Sequence, residues 1–583
     1  MHFLRALSRY WHLLSRYLRP QWWRIGLLAL ILCCTIGVQV ATPLVTSAFI
    51  DRAISGGELS DLMVLALATI ALALLQQGMA IAETGIAEMV SWTATNTLRA
   101  DLLTHLLRLD ASFHTAHTPG ELIERVDGDV ATLARFFSRF VVYVLGNGIL
   151  MLGVLGLLYH IDWRVGLVMS GFVVVALIVI LRIRAAATPL WAADRQANAD
   201  FFGFLSEYLA GLQDIRSSGA SAFVLRRFAE VLRSWLPITR KAQMWGYGMT
   251  AVSMGLFSLG TAASFALCAL LYQSGLLTIG VVYLVFRYTR MLREPVEQIR
   301  DEIQDLQQAD ASISRIEALL RIQPRIVDGP VSSLPSGPLA IELENVSFAY
   351  AEDAPVLRNV SFSLAPGRVL GVVGRTGSGK TTLTRLLLRF YDPQVGTVRL
   401  NGVDLRDVKL AAIRSRIGMV TQEVHLFRAS VRDNLTLFEA GFSDERIREI
   451  LETLGLADWL QELPQGLDTV LLSDGAGLSA GQAQVIACAR IMLHDPDLVI
   501  LDEASSRLDP LTDRLVHTAL GRMLEGRTGI IIAHRLATLT YADEILVMED
   551  GQVREHGPRR ALMADPNSRF AELLRVATEE VTL

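Results

Sequence analysis

Six apolar runs in the first 300 residues limit what this chain can fold into. They lie at about 23–47, 61–82, 137–160, 164–185, 247–272 and 276–296. A bilayer span needs about 20 mostly apolar residues. In hydrocarbon, every backbone N–H and C=O must find its partner within the protein, so runs of this length are confined to helices. An ordinary soluble fold is therefore excluded for the first half. Of 583 residues, 51% are apolar and 19% charged. The excess is uneven: beyond about residue 338 the chain reads like an ordinary α/β domain. A net charge of −5 gives no general attraction to nucleic acid, and no such partner is expected.

An even number of spans puts both termini on one side. The segment Met1–Arg24 carries Arg5, Arg9, Arg16, Arg19 and Arg24 and no acidic residue. The positive-inside rule makes that side cytoplasmic. Residues 1–22 are expected to form an amphipathic interfacial helix, with Trp22 and Trp23 beside the first span. The inward connections, about 83–136 and 186–246, are long and charged yet keep helical periodicity. Helices should thus continue past the bilayer. Each connection has one turn signal, His117-Thr118-Pro119-Gly120 and Ser217-Ser218-Gly219-Ala220. Both are candidate contacts for the cytoplasmic domain.

Polar residues in the spans are few: Gln39, Gln76, Gln77, Asn147 and Arg287. An intramembrane Arg is costly unless it faces a cavity or a partner, so Arg287 is the first candidate for a cavity and Arg290 the second. Cys33, Cys34, Cys268 and Cys488 show no metal or disulfide spacing and are expected to be buried, inert thiols. The expected division is a helical membrane domain over 23–303, a linker over 304–338 and an α/β domain over 339–583.

The second half opens on Gly374-Arg375-Thr376-Gly377-Ser378-Gly379-Lys380-Thr381-Thr382. The run follows the apolar Val369–Val373 and precedes a helical pattern, which is the strand–loop–helix setting of a phosphate cradle. Glycines let successive N–H groups curl around a polyphosphate, and the helix dipole points at the same anion. Lys380 adds charge and Thr381 a hydroxyl for Mg²⁺. Only three lysines occur, Lys241, Lys380 and Lys409, so a lysine here by accident is improbable. Downstream, Leu498–Leu501 reads as a buried strand ending in Asp502-Glu503. Asp502 suits Mg²⁺ and Glu503 suits a base for attacking water. Gly477-Leu478-Ser479-Ala480-Gly481-Gln482, before a helical run, is a second anion site.

This set resembles the ATP-binding cassette family, and the whole chain resembles an exporter-type half-transporter. The resemblance implies a Walker A motif at Gly374–Thr382 and a Walker B strand ending at Asp502, with Glu503 as catalytic glutamate. Gln422 corresponds to the glutamine loop that reaches Mg²⁺ and the γ-phosphate, and His534 to the switch histidine. Tyr350 corresponds to the aromatic that stacks on adenine, and Asp509 to the D-loop aspartate. Ser479, Ala480, Gly481 and Gln482 correspond to the signature that contacts ATP held by a partner subunit. Three departures stand out: Ala480 for the second signature glycine, Arg507 for the usual D-loop alanine, and Ser473-Asp474-Gly475 where a glutamate is usual. In heterodimeric exporters an altered signature often accompanies a retained glutamate, so the resemblance implies a heterodimer.

The function implied is ATP-driven export of an amphipathic small molecule, lipid or peptide across the cytoplasmic membrane. The subunits would be paired half-transporters sharing ATP and Mg²⁺ sites. The alternatives are a homodimeric exporter and an ATP-gated membrane binding protein with little turnover.

Overall fold

The structure, a computed structural model, describes residues 15–139, 144–351, 354–422, 424–472, 478–502, 510–533 and 536–582. For 137–139, 299–307, 480, 510–515, 536–537 and 576–582 it describes the backbone alone. The chain forms two compact units. One runs to Leu107 and resumes over Pro119–Ile322; the other comprises Arg108–Thr118 and the chain from Gln323 onward.

The first unit is built on α1 (Trp22–Ile54), α2 (Leu59–Arg108), α3 (Gly146–Ile161), α4 (Trp163–Ala210), α5 (Ser221–Gln273), α6 (Ile279–Met291) and α7 (Arg293–Arg321). Helices α2, α4 and α5 have 50, 48 and 53 residues. At 1.5 Å per residue each is about 75 Å long, more than twice the hydrocarbon thickness. The expected helical extensions are therefore present. Among the described residues, four helices are long and apolar enough to span: Ser15–Ile54, Leu59–Arg108, Trp163–Ala210 and Ser221–Gln273. The other two expected runs are shorter helices. Within 137–160, residues 140–143 lie outside the described residues, and α3 has 16 residues. Helix α6 has 13 residues and stops at Leu292, where apolar sequence gives way to Arg293-Glu294-Pro295. Pro295 falls in the first turn of α7, where a missing N–H is no loss.

One apolar cluster joins α3 to α6, with Val154, Met169, Phe257, Leu284, Val285 and Tyr288 among its buried members. Tyr288 is fully buried and donates to the Val40 carbonyl at 2.9 Å. At the end of α1, Asp51 accepts from Thr278 Oγ1 at 2.7 Å and from Gly280 N at 2.8 Å, which fixes the start of α6.

One expectation needs correction. Cys33 and Cys34 are exposed, while Cys268 and Cys488 are buried. Hydropathy cannot distinguish a lipid-facing helix surface from a packed one, because both are apolar. Arg287 is exposed in the single chain, and Arg290, the second cavity candidate, lines a groove with Arg293 between α5 and the α6–α7 junction.

The second unit carries two sheets. Strands are β1 (Ile341–Ala349), β2 (Pro355–Leu364), β3 (Val369–Val373), β4 (Val395–Leu400), β5 (Val403–Asp404), β6 (Ile417–Val420), β7 (Leu498–Asp502), β8 (Thr528–Ile532), β9 (Glu544–Glu549) and β10 (Gln552–Pro558). The larger sheet runs β10-β9-β3-β8-β7-β6 and is parallel apart from the β9–β10 hairpin. Strands β3, β7 and β8 are buried throughout, as expected of strands covered on both faces. A four-stranded sheet, β2-β1-β4-β5, has antiparallel pairs throughout and was not anticipated.

Candidate nucleotide site

Strand β3 delivers the chain into a loop that only glycine tolerates at several points. Gly374, Gly377 and Gly379 have φ of 154°, 85° and 100°. At Gly374 a Cβ would also lie 2.2 Å from the Met548 carbonyl. Helix α8 (Lys380–Leu387) starts at the loop's end, with left-handed Gly379 as its cap. Lys380 is buried, and its Nζ donates to the carbonyls of Gly374 at 2.8 Å and Arg375 at 3.0 Å. The ammonium is thus folded back onto the carbonyls of its own loop. Arg375, Thr376, Gly377 and Thr381 are exposed, while Thr382 is buried.

Ser378 supplies a test of fit. Its hydroxyl is buried and, among the described residues, has no hydrogen-bond partner. A buried orphan costs about 1–3 kcal/mol, and one inside a glycine loop at a helix start suits a polyphosphate.

Asp502 ends β7 and is 7% exposed. It pairs in register with Ile532 of β8, and Ile532 pairs with Val372 of β3. The carboxylate therefore sits at the level of the loop, two strand spacings or about 10 Å across the sheet. Gln422 is exposed just beyond the end of β6, the next strand. These groups share the carboxyl edge, where open α/β sheets place their ligands.

Tyr350 follows β1. Its hydroxyl lies 3.2 Å from Thr382 Oγ1 and accepts from Arg385 at 3.1 Å. Its ring meets Phe348 and Tyr391 edge-on at 5.0 and 5.2 Å. A cavity of about 360 Å³ opens there, lined in part by Tyr350, Tyr391 and Gln394. Arg385 and Tyr391 were missed from the sequence. Arg385 carries a signal in retrospect, since it lies one helical turn after Thr381 on an exposed face.

The signature turn forms a capping box. Ser479 Oγ accepts from Gln482 N at 3.1 Å, and Gln482 Oε1 accepts from Ser479 N at 2.9 Å. Helix α9 (Ala480–His494) therefore begins at Ala480 and presents the N–H groups of Ala480 and Gly481 at its open end. Farther along α9, burial pushes the Cys488 thiol up to about 12, so this cysteine is inert as expected. Glu503, Asp509 and His534 lie outside the described residues, as do Ser473–Gly475.

A phosphate loop, a neighbouring buried acid and a capped anion-binding turn define a P-loop ATPase, here fused to a unit of membrane helices. A family model described as ABC transporter transmembrane region matches residues 24–296, and one described as ABC transporter matches 357–506. The ATP-dependent lipid A-core flippase of Photorhabdus laumondii is 31% identical over 504 residues, 84% of each chain. That of Chromobacterium violaceum is 33% identical over 477 residues, 80% of each chain. An uncharacterized ABC transporter ATP-binding protein of Bacillus subtilis is 28% identical over 562 residues, 96% of this chain and 92% of that one. In fold, a bacterial Atm1-family ABC exporter solved with ATP bound superposes with a TM-score of 0.78 at 24% identity, over 95% of this chain and 98% of the other. The chain belongs to the ATP-binding cassette transporter family, as an exporter-type half-transporter whose ATPase is coupled to transport.

Proposed function

We propose that this chain exports an amphipathic, lipid-like substrate across the cytoplasmic membrane as one half of a dimer, with a different half-transporter as its partner. The observation that carries the ATP-driven step is the phosphate loop aligned with Asp502 along one sheet edge. The lipid-like substrate is supported by the flippases named above and by the sparse polar groups of the apolar runs. Residues 23–303 would act as a six-span membrane domain, 304–338 as a linker and 339–583 as the cassette; the interfacial helix expected over 1–22 lies largely outside the described residues. Both termini and the cassette are cytoplasmic, in line with the arginine-rich, acid-free start of the chain.

Each ATP would bind between residues 374–382 of one chain and the signature of the other. The loop amides, Lys380 and Ser378 cradle its phosphates, and Tyr350 stacks on the base. The Thr381 hydroxyl, Gln422 and the Asp502 carboxylate would hold Mg²⁺, which neutralises charge on the β- and γ-phosphates. Glu503 orients and deprotonates the attacking water, and His534 steadies the γ-phosphate. ATP drives the cycle because it binds the closed dimer more tightly than the open one.

Glu503→Gln keeps the shape and loses the base. Hydrolysis should fall by about a hundredfold or more, while ATP still binds. Turnover at the wild-type rate in reconstituted transporter would overturn the assignment.

A further inference from the structure

Tyr350 stands directly on the last residue of β1, Ala349, which lies between β2 and β4 in the four-stranded sheet. On the β2 side, Ala349 falls opposite Pro355, immediately after a shift in register. On the β4 side, Ser347 pairs with Val395, so the same register two residues on brings Pro393 opposite Ala349. A proline has no N–H to give to a ladder. Both residues opposite Ala349 therefore lack a donor, and its backbone groups need another partner.

The side chain of Gln394 supplies it. Oε1 accepts from Ala349 N at 2.8 Å, and Nε2 donates to the Ala349 carbonyl at 2.8 Å. The backbone N–H of Gln394 donates to the Ser347 carbonyl at 3.2 Å, which keeps the side chain in reach. A primary amide carries the donor and acceptor of a peptide group, so it takes the place of the strand residue that Pro393 cannot be.

The next residue is Tyr350. Its hydroxyl end is tied to α8 through Thr382 and Arg385, and its ring lines the cavity of about 360 Å³. The residue is thus held at the hydroxyl by α8 and at the backbone by Gln394. Both hydrogen bonds of the Gln394 amide are exposed. Water replaces such bonds at little cost in stability. It does not replace the position they set.

We infer that Gln394 is a positioning residue of the nucleotide site, which sets the Tyr350 ring against the base of ATP. This rests on the reading of Tyr350 as the stacking aromatic and adds the group that holds it. The contribution goes to the base alone, because the amide bonds to β1 and not to the phosphate loop.

The test is calorimetric titration of the full chain in dodecyl maltoside with ATP and with inorganic tripolyphosphate. Both are added in EDTA, so that nothing is hydrolysed. Tyr350→Ala should weaken ATP by about tenfold and leave tripolyphosphate within about twofold, because stacking acts only on the base. Gln394→Met keeps the length of the side chain and loses both hydrogen bonds. It should weaken ATP by about fivefold and leave tripolyphosphate within about twofold. Gln394→Glu keeps the acceptor but sets a carboxylate against the Ala349 carbonyl, and should also weaken ATP by about fivefold. In the Tyr350→Ala background, Gln394→Met should change ATP affinity by less than about twofold, since no ring is left to position. Unchanged ATP affinity in Gln394→Met, beside a loss in Tyr350→Ala, would overturn this assignment and leave the stacking reading intact. Equal losses for ATP and tripolyphosphate, or a loss that persists in the Tyr350→Ala background, would show general damage to the cassette and also overturn it. No loss in Tyr350→Ala would remove the stacking reading and this assignment with it.

Discussion

Asp129 is the most heavily committed buried charge in the helical unit. It is 1% exposed and accepts from Ser312 Oγ and Arg315 Nε, each at 2.9 Å, and from Arg125 at 3.4 Å. It closes the π-helical turn Glu124–Asp129 onto α7. Burial pushes its carboxyl up, but the hydrogen bonds from Arg315 and Ser312 outweigh that and hold it below the ordinary 3.8. A depressed folded value stabilises the fold fully above the unfolded pKa, and the contribution is lost as pH falls through the folded value. The clamp should therefore be intact at neutral pH and weaken only below about pH 4. Asp129→Asn should cost about 2 kcal/mol at pH 7, read as a lowered Tm in detergent. The gap to wild type should narrow below that pH. A Tm equal to wild type at pH 7 would mean the cluster contributes no stability.

Helix α6 depends on one glycine. A Cβ on Gly280 would stand 2.3 Å from the Ser47 carbonyl oxygen and 2.5 Å from Asp51 Cγ. The carbonyl belongs to α1 and cannot swing aside, so α6 would move outward and loosen the Asp51 cap. Gly280→Ala should cost about 2 kcal/mol. Gly148→Ala, with nothing within 4 Å of its Cβ, should be neutral or stabilise by up to about 1 kcal/mol. Equal Tm values for the two variants would refute this close approach. Sequence alone reached the helical membrane unit and the helical extensions, because length and periodicity carry those, though among the described residues four of the six expected spans are helices long and apolar enough to cross. It did not reach which face of each helix packs, and so misplaced Cys33 and Cys34. The four-stranded sheet was missed for a related reason. Its β1–β2 register shifts at three places, and Asn345 and Asn359 adopt φ of 52°. Such irregularities break the period-2 alternation that marks a strand. The phosphate loop was legible because a glycine-rich turn with one lysine has few other uses; the rings and Arg385 around Tyr350 come from elements distant in sequence.

For the whole molecule, the open question is the partner. One chain carries a phosphate loop at the end of β3 and a capped turn at the start of α9; in the proposed reading each ATP takes one of the two from each chain. If the sites are shared between chains, the quality of each depends on whose signature meets whose loop. Here the signature has Ala480 where the family has glycine, and the D-loop segment has Arg507 for alanine. If, as the resemblance implies, these positions face the shared nucleotide, a methyl group and a charged side chain there would weaken the site this signature completes. In the proposed reading Glu503, by contrast, would equip this chain's own phosphate loop for hydrolysis once a standard signature closes on it. We therefore expect the chain purified alone to hydrolyse ATP about tenfold or more below the assembled transporter, because a misfitted donor set at a transition state costs that much. Coexpression with a half-transporter that retains LSGGQ should restore turnover, and native mass spectrometry should find a one-to-one complex. In that complex Glu503→Gln should abolish hydrolysis, whereas the equivalent change in the partner should have little effect. Full ATPase activity from this chain alone, with a homodimer as the species in solution, would reverse the assignment and make Ala480 a tolerated variant of the signature.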